Sequence, residues 1–257
     1  MQPFERLRAA VRWSSGLDEW SLLAESIQCL AGFDEDPAGL VMACRRLLVH
    51  HPGSVRLWWV CARVAMAIDP ADAAWDAWDR LELDATPSRV DAAVGTPDGP
   101  VLTLGWGDSA EALARTRPDL EVVALRTGDD AALSLALRRS EIGARVVDVV
   151  GATALGPSVV LVPVAAAGAG TVLLAPEVAR TLESLDPAPA PLLVAPLGTV
   201  LGAGLLGAYR RANDGRVVAV PFDRFRGAVG PTGLADHRSF SNRRDTPDAP
   251  ELLRLTI

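Results

Sequence analysis

Val101-Leu-Thr-Leu-Gly-Trp-Gly-Asp-Ser109 decides the fold. Four residues suited to a buried strand run into a two-glycine turn, and Asp108-Ser109 then opens a helical stretch to about Thr116. The same unit recurs at Glu121-Val-Val-Ala-Leu125, followed by Arg126-Thr-Gly-Asp-Asp130 and a helical pattern to about Glu141. Short apolar runs alternating with helices predict a parallel sheet with helices on its faces.

Extended along the chain, this rhythm predicts strands at 101–104, 121–125, 145–150, 159–163, 191–195 and 217–220. Helices are predicted near 108–116, 129–141, 175–185 and 203–212. Asp186-Pro-Ala-Pro-Ala-Pro191 reads as a short stiff connector, and Val162-Pro-Val-Ala-Ala-Ala-Gly-Ala-Gly170 as a loop without a polar side chain. Beyond Pro221 the pattern predicts irregular chain, with Arg238–Pro250 polar and mobile.

Upstream of the punctuation Gly95-Thr-Pro-Asp-Gly-Pro100 the sequence reads as helices. Asp18 is expected to cap a helix through Leu30, and Asp36-Pro37 to open another that stops near His50-His-Pro-Gly53. Leu57-Trp-Trp-Val-Cys61, continuing through Ile68, is apolar almost all round and predicts a central buried helix. Asp69-Pro70 opens a helix presenting Trp75, Trp78 and Leu81. Six of the seven tryptophans lie in this half, where helical spacing assigns them to a core. The fold class expected is therefore α/β. A helical bundle domain over 1–94 precedes a Rossmann-like parallel-sheet domain over 100–257 with an irregular C-terminal segment.

Composition narrows the chemistry. Apolar residues make up 49% of the 257-residue chain, ample for a packed core, and the interrupted stretch from Leu155 to Leu174 reads as strand and loop rather than a membrane span. The N-terminus has an acid early and no apolar core after it, so a cytoplasmic protein without a signal peptide is expected. A net charge of −7 without a basic stripe argues against nucleic acid as a partner. All 25 basic residues are arginine. A Schiff-base lysine, a Walker-type phosphate loop and a kinase lysine are thereby excluded. Cys29, Cys44 and Cys61 fit no zinc spacing and read as free buried thiols; no metal site or cofactor is expected.

In sheets of this kind ligands sit beyond the carboxyl ends of the strands. The residues there are the candidate site: Gly105, Trp106, Gly107, Asp108 and Ser109; Arg126, Thr127, Gly128 and Asp129; and Gly168 and Gly170. Glycines let backbone approach a ligand, and Arg126 beside a helix start suits a phosphate. Arg126 also has acidic neighbours, Asp129 and Asp130, with which it can form a local surface pair. The turn after the first strand is similar to the first motif of methyltransferases that use S-adenosylmethionine. There the acid belongs at the tip of the second strand, where this chain has Arg126.

The layout resembles the family that unites regulatory subunits of translation initiation factor 2B with methylthioribose-1-phosphate isomerase and ribose-1,5-bisphosphate isomerase. Leu57-Trp-Trp-Val-Cys-Ala-Arg63, Leu102-Thr-Leu-Gly-Trp106 and the ending Phe222-Asp223 through Gly230-Pro-Thr-Gly233 carry the likeness, which is closest to a divergent actinobacterial branch. The resemblance implies a homodimer and a sugar phosphate or nucleotide ligand. It also implies that catalysis is lost. The isomerases' cysteine falls on Gly105, their aspartate on Ala165, and their asparagine-lysine segment near Leu174-Ala-Pro-Glu177; only Arg126 matches. Glycine and alanine cannot replace a thiol and a carboxylate in moving protons. The expected function is a non-catalytic binding or regulatory protein. A methyltransferase or a homodimeric structural protein are the alternatives.

Overall fold

The structure, a computed structural model, describes residue 5 and residues 19–33, 36–128, 130–168, 170–185 and 189–254. Among the described residues five helices precede the sheet: α1 (Glu19–Leu30), α2 (Pro37–His50), α3 (Val55–Ala65), α4 (Pro70–Glu82) and α5 (Thr86–Val94). Asp36 and Asp69 cap α2 and α4 by accepting from the amides of Gly39 and Asp72, each with proline at the first helical position. Asp18 lies outside the described residues.

Helix α3 is buried from Val55 through Ala62. It ends at Ala65 rather than running to Ile68, which is fully exposed. Asp69 must be extended because Pro70 follows it, so the chain unwinds ahead of that pair. Trp58 and Trp59 fill the core, and their indoles donate to Pro52 O at 3.0 Å and Asp245 O at 2.8 Å. Trp20 and Trp78 meet edge to face at 6.1 Å. Trp75, by contrast, is half exposed. Helix α5 leaves the bundle: Val90 and Val94 pack on Val101, Leu161 and Leu192 of the sheet.

The remaining elements are β1 (Val101–Leu104), α6 (Asp108–Thr116), β2 (Val122–Leu125), α7 (Asp130–Ser140), β3 (Arg145–Val147), α8 (Val149–Leu155) and β4 (Val159–Pro163). Next come β5 (Ala166–Gly168), β6 (Thr171–Leu174), α9 (Pro176–Ser184), β7 (Leu192–Val194), α10 (Ala203–Ala212), β8 (Val218–Pro221), β9 (Gly227–Gly230), β10 (Gly233–Ala235) and α11 (His237–Ser241). The main sheet has the order β10-β9-β7-β4-β1-β2-β3, parallel throughout except for β10. Successive strands add outward from β1 to one side and from β4 to the other, so winding reverses between them. The crevice beyond their carboxyl ends is the switch point of a doubly wound sheet. The α/β class and the helical preface are those expected from the sequence.

Five expectations are corrected. The strand at 217–220 does not join the parallel layer; β8 pairs antiparallel with β6 in a separate sheet of order β5-β6-β8, where its largely exposed face is tolerated. Part of the apolar loop after β4 is likewise strand β5, paired antiparallel with β6. Strand 145–150 stops at Val147, because Asp148 accepts from Gly151 N at 2.8 Å and caps α8.

The chain beyond Pro221 is not irregular: β9 is a parallel strand of the main sheet, with Ala228 and Val229 fully buried. Its glycines hide it from propensity, yet packing demands them. A Cβ on Gly227 would lie 2.9 Å from Ala235 O, and one on Gly230 would meet the Arg243 guanidinium. The 238–250 segment, expected to be mobile, is an anchored strap. Arg243 donates to Ala195 O at 2.8 Å and Pro196 O at 3.2 Å, and Thr246 Oγ1 donates to Val200 O at 2.7 Å. The described connector residues begin only at 189, so its first part lies outside them. No described helix is long and apolar enough to cross a membrane.

Candidate functional site

A cavity of about 280 Å³ opens at the switch point. Its floor is the sheet: Thr103 from β1, Leu161 and Pro163 from β4, and Val164 and Ala165 just beyond. One wall is the start of α6, with Gly107, Asp108, Ser109 and Ala110. The opposite wall is helical, with Glu19 from α1 and Val55 and Arg56 from α3. Gly105 turns the chain out of β1 with φ +84°, a conformation that favours glycine, and nothing lies within 4 Å of where its Cβ would be.

Arg56 organises the charge. Its Nη1 lies 3.1 Å from Glu19 Oε2, both terminal nitrogens lie 3.3 Å from Asp108 Oδ2, and its guanidinium carbon sits 5.2 Å from the centre of the Trp20 ring. The Arg56 side chain is only 10% exposed, whereas those of Glu19 and Asp108 are about half exposed. A buried guanidinium is thus neutralised by carboxylates from two different elements, which ties the helical layer to the start of α6. Ser54 donates to the other Glu19 oxygen at 3.0 Å.

The loop after β7 closes the cavity with Pro196 and Thr199 and is held from three directions. Asp84 accepts from Leu197 N at 2.8 Å, Thr199 Oγ1 donates to Pro196 O at 2.7 Å, and Arg243 clamps Ala195 O and Pro196 O.

The residues singled out in the sequence separate into distinct places. Gly107, Asp108 and Ser109 line the central cavity. Trp106 turns away from it, half-buried against the core of α5 and β1, with its indole nitrogen buried and unpartnered among the described residues. Arg126, Thr127 and Gly128 line a second, shallow depression of about 400 Å³ with Glu177, Arg180 and Thr181 from α9. No described residue lines both. Asp129 lies outside the described residues. Gly168 and Gly170 line neither: Gly168 packs on the Leu201 carbonyl, and Gly170, at φ +79°, faces Ser241 and His237.

Ala165, the position onto which the isomerase aspartate falls, does line the central cavity and brings only a methyl group. Sequence reasoning missed Glu19, Thr103 and above all Arg56. A signal existed, for Arg56 is the first of two arginines on an otherwise apolar helix, and a charge on a buried helix requires a partner.

A doubly wound parallel sheet with a helical preface and a cavity at the switch point defines the architectural class of this α/β protein. Solved structures of translation initiation factor 2B subunits share this fold. The eIF-2B of Pyrococcus horikoshii OT3 superposes with a TM-score of 0.68 at 12% identity, covering 91% of this chain and 96% of that one. The beta subunit of Chaetomium thermophilum eIF2B gives 0.62 at 12% identity over 91% of this chain and 86% of that one. Its delta subunit gives 0.59 at 14% identity over 89% and 95%. Neither a protein-family model nor a curated protein sequence matches the chain. The initiation factor 2B fold is therefore the architecture of this chain.

Proposed function

We propose that the protein is a cytoplasmic, non-catalytic binding or regulatory protein on the initiation factor 2B scaffold, taking a sugar phosphate or nucleotide at the carboxyl edge of its sheet. The observation that carries the reading is the wall of the switch-point cavity. Ala165 stands where the resemblance calls for a carboxylate, and no cysteine, histidine or lysine is among the described residues that line the cavity. The two carboxylates present, Glu19 and Asp108, are both engaged by Arg56.

For the phosphate, the Arg126 depression offers the matching chemistry. Two arginines, Arg126 and Arg180, converge with the hydroxyls of Thr127 and Thr181. A second copy of the chain is the proposed protein partner. The related eIF2B-beta2-delta2 complex is tetrameric, and Val218 and Leu234 are apolar and exposed here.

Isothermal titration with ribose 5-phosphate and with adenosine monophosphate tests the ligand. Saturable binding that weakens about tenfold or more in Arg126→Ala is expected from loss of a charge-assisted pair. Heat-silent titrations, or binding indifferent to Arg126→Ala, would defeat the proposal. Light scattering at micromolar concentration tests the dimer, and a monomer would remove it.

A further inference from the structure

The central cavity does not end at Arg56. A neighbouring chamber of about 230 Å³ is walled by Trp20, Leu81, Glu82, Asp84 and Pro87. Arg56, Asp108, Ser109 and Pro196 line both chambers, so the Arg56–Asp108 pair is the partition between them. Together the two carry four carboxylates, Glu19, Glu82, Asp84 and Asp108, against one guanidinium. Asp84 is occupied by Thr86 and Leu197, and Glu19 by Ser54 and Arg56. The exposed Glu82 side chain makes no hydrogen bond or ion pair with any described residue.

Charge alone does not make a site, but two hydroxyls point the same way. Thr103 and Ser109 are 3% and 7% exposed, both line the central cavity, and neither side chain hydrogen-bonds to a described residue. Neither oxygen is fully shut off from solvent, so each is open to a partner that enters the cavity. The aromatic wall is already of the right type, since the Trp20 face holds the Arg56 guanidinium at 5.2 Å.

We propose that this two-chambered cleft binds a small organic cation, an alkylamine or alkylguanidine. Its charged head sits among Glu82, Asp84 and Asp108 against Trp20, and its chain or hydroxyls lie toward Thr103 and Ser109. Arg56 shows the chemistry the surroundings accept: a guanidinium stacked on an indole and shared between carboxylates. The same charge disfavours phosphate, which would have to displace both Glu19 and Asp108 from the one guanidinium that lines the cleft among the described residues. This site is separate from the Arg126 depression.

Isothermal titration of the full chain at low ionic strength with agmatine tests it, with uncharged butylurea as the shape control. Saturable agmatine binding is expected, weakened about 10- to 100-fold in Glu82→Gln and progressively by salt, with butylurea silent. Ribose 5-phosphate should not compete. Glu82 is exposed, so its variant folds as the parent does. No agmatine binding, equal binding of butylurea, indifference to Glu82→Gln, or displacement by ribose 5-phosphate would each overturn the inference. Phosphate binding lost in Arg126→Ala bears on the proposed function alone, so the two can fail separately.

Discussion

Removing the Asp84 carboxylate tests how the cleft is held. Its Oδ1 accepts from Thr86 N at 3.0 Å and Thr86 Oγ1 at 2.7 Å, and its Oδ2 accepts from Leu197 N at 2.8 Å. Thr86 is fully buried and Leu197 nearly so. Asp84→Ala therefore strands a buried amide and hydroxyl at the start of α5 and the amide that fixes the Pro196–Thr199 loop. Each orphaned buried donor costs about 1–3 kcal/mol. Asp84 faces the chamber beside Trp20, so water can reach part of the gap. A loss of about 2–4 kcal/mol follows, or roughly 4–15 °C in Tm for a chain of this size. Asp84→Asn keeps one acceptor oxygen and should lose about half as much. Urea unfolding followed by circular dichroism measures all three proteins. A midpoint for Asp84→Ala within about 0.5 kcal/mol of the parent, the range of an inert surface change, would refute the reasoning.

Three further outcomes are expected. Gly168→Ala puts a Cβ into the Leu201 carbonyl where β5 crosses the 199–201 loop, so a loss of about 3 kcal/mol or more is expected in thermal melts; an unchanged Tm contradicts the packing. Burial, helped by the Glu19 carboxylate, pushes the Tyr209 phenol up to about 12. The folded chain then holds that proton where the unfolded chain, ionising near 10, releases it. Stability is unaffected below pH ~10 and falls by up to ~2–3 kcal/mol as pH rises toward 12, a loss that Tyr209→Phe should abolish. Because Tyr209 is the chain's single tyrosine, its phenolate absorbance reports the titration directly, and a midpoint near 10 in the folded protein would contradict it. Cys29, Cys44 and Cys61 are fully buried, and burial together with the Cys44 sulfur pushes the Cys61 thiol up, so a thiol reagent should label none of them until the chain unfolds.

The sequence is legible where one local signal coincides with one structural need. Val101–Leu104 is buried on both faces, and Asp36-Pro37 and Asp69-Pro70 carry cap and first-turn proline together, so strand and helix starts fall where pattern places them. Legibility fails where tertiary packing overrides propensity. Gly227-Ala-Val-Gly230 is a core strand because its neighbours leave room only for hydrogen, which no local pattern encodes. Asp148 could end a strand or start a helix, and its contact with Gly151 settles which.

The site divides the same way. Strand ends and the glycine turn led to Gly107, Asp108 and Ser109, since topology puts any such turn at the crevice. Arg126, from the neighbouring strand end, faces a different depression. Arg56 and Glu19 arrive from helices some fifty and ninety residues upstream of that turn, and only three-dimensional packing brings them to it.

The proposed absence of catalysis is tested most directly by following the purified protein with a pentose 1-phosphate by saturation-transfer and time-resolved NMR. The account predicts magnetisation transfer to an intact sugar phosphate and no product signal above the protein-free control. Accumulation of an isomerised product that persists through repeated purification would contradict it.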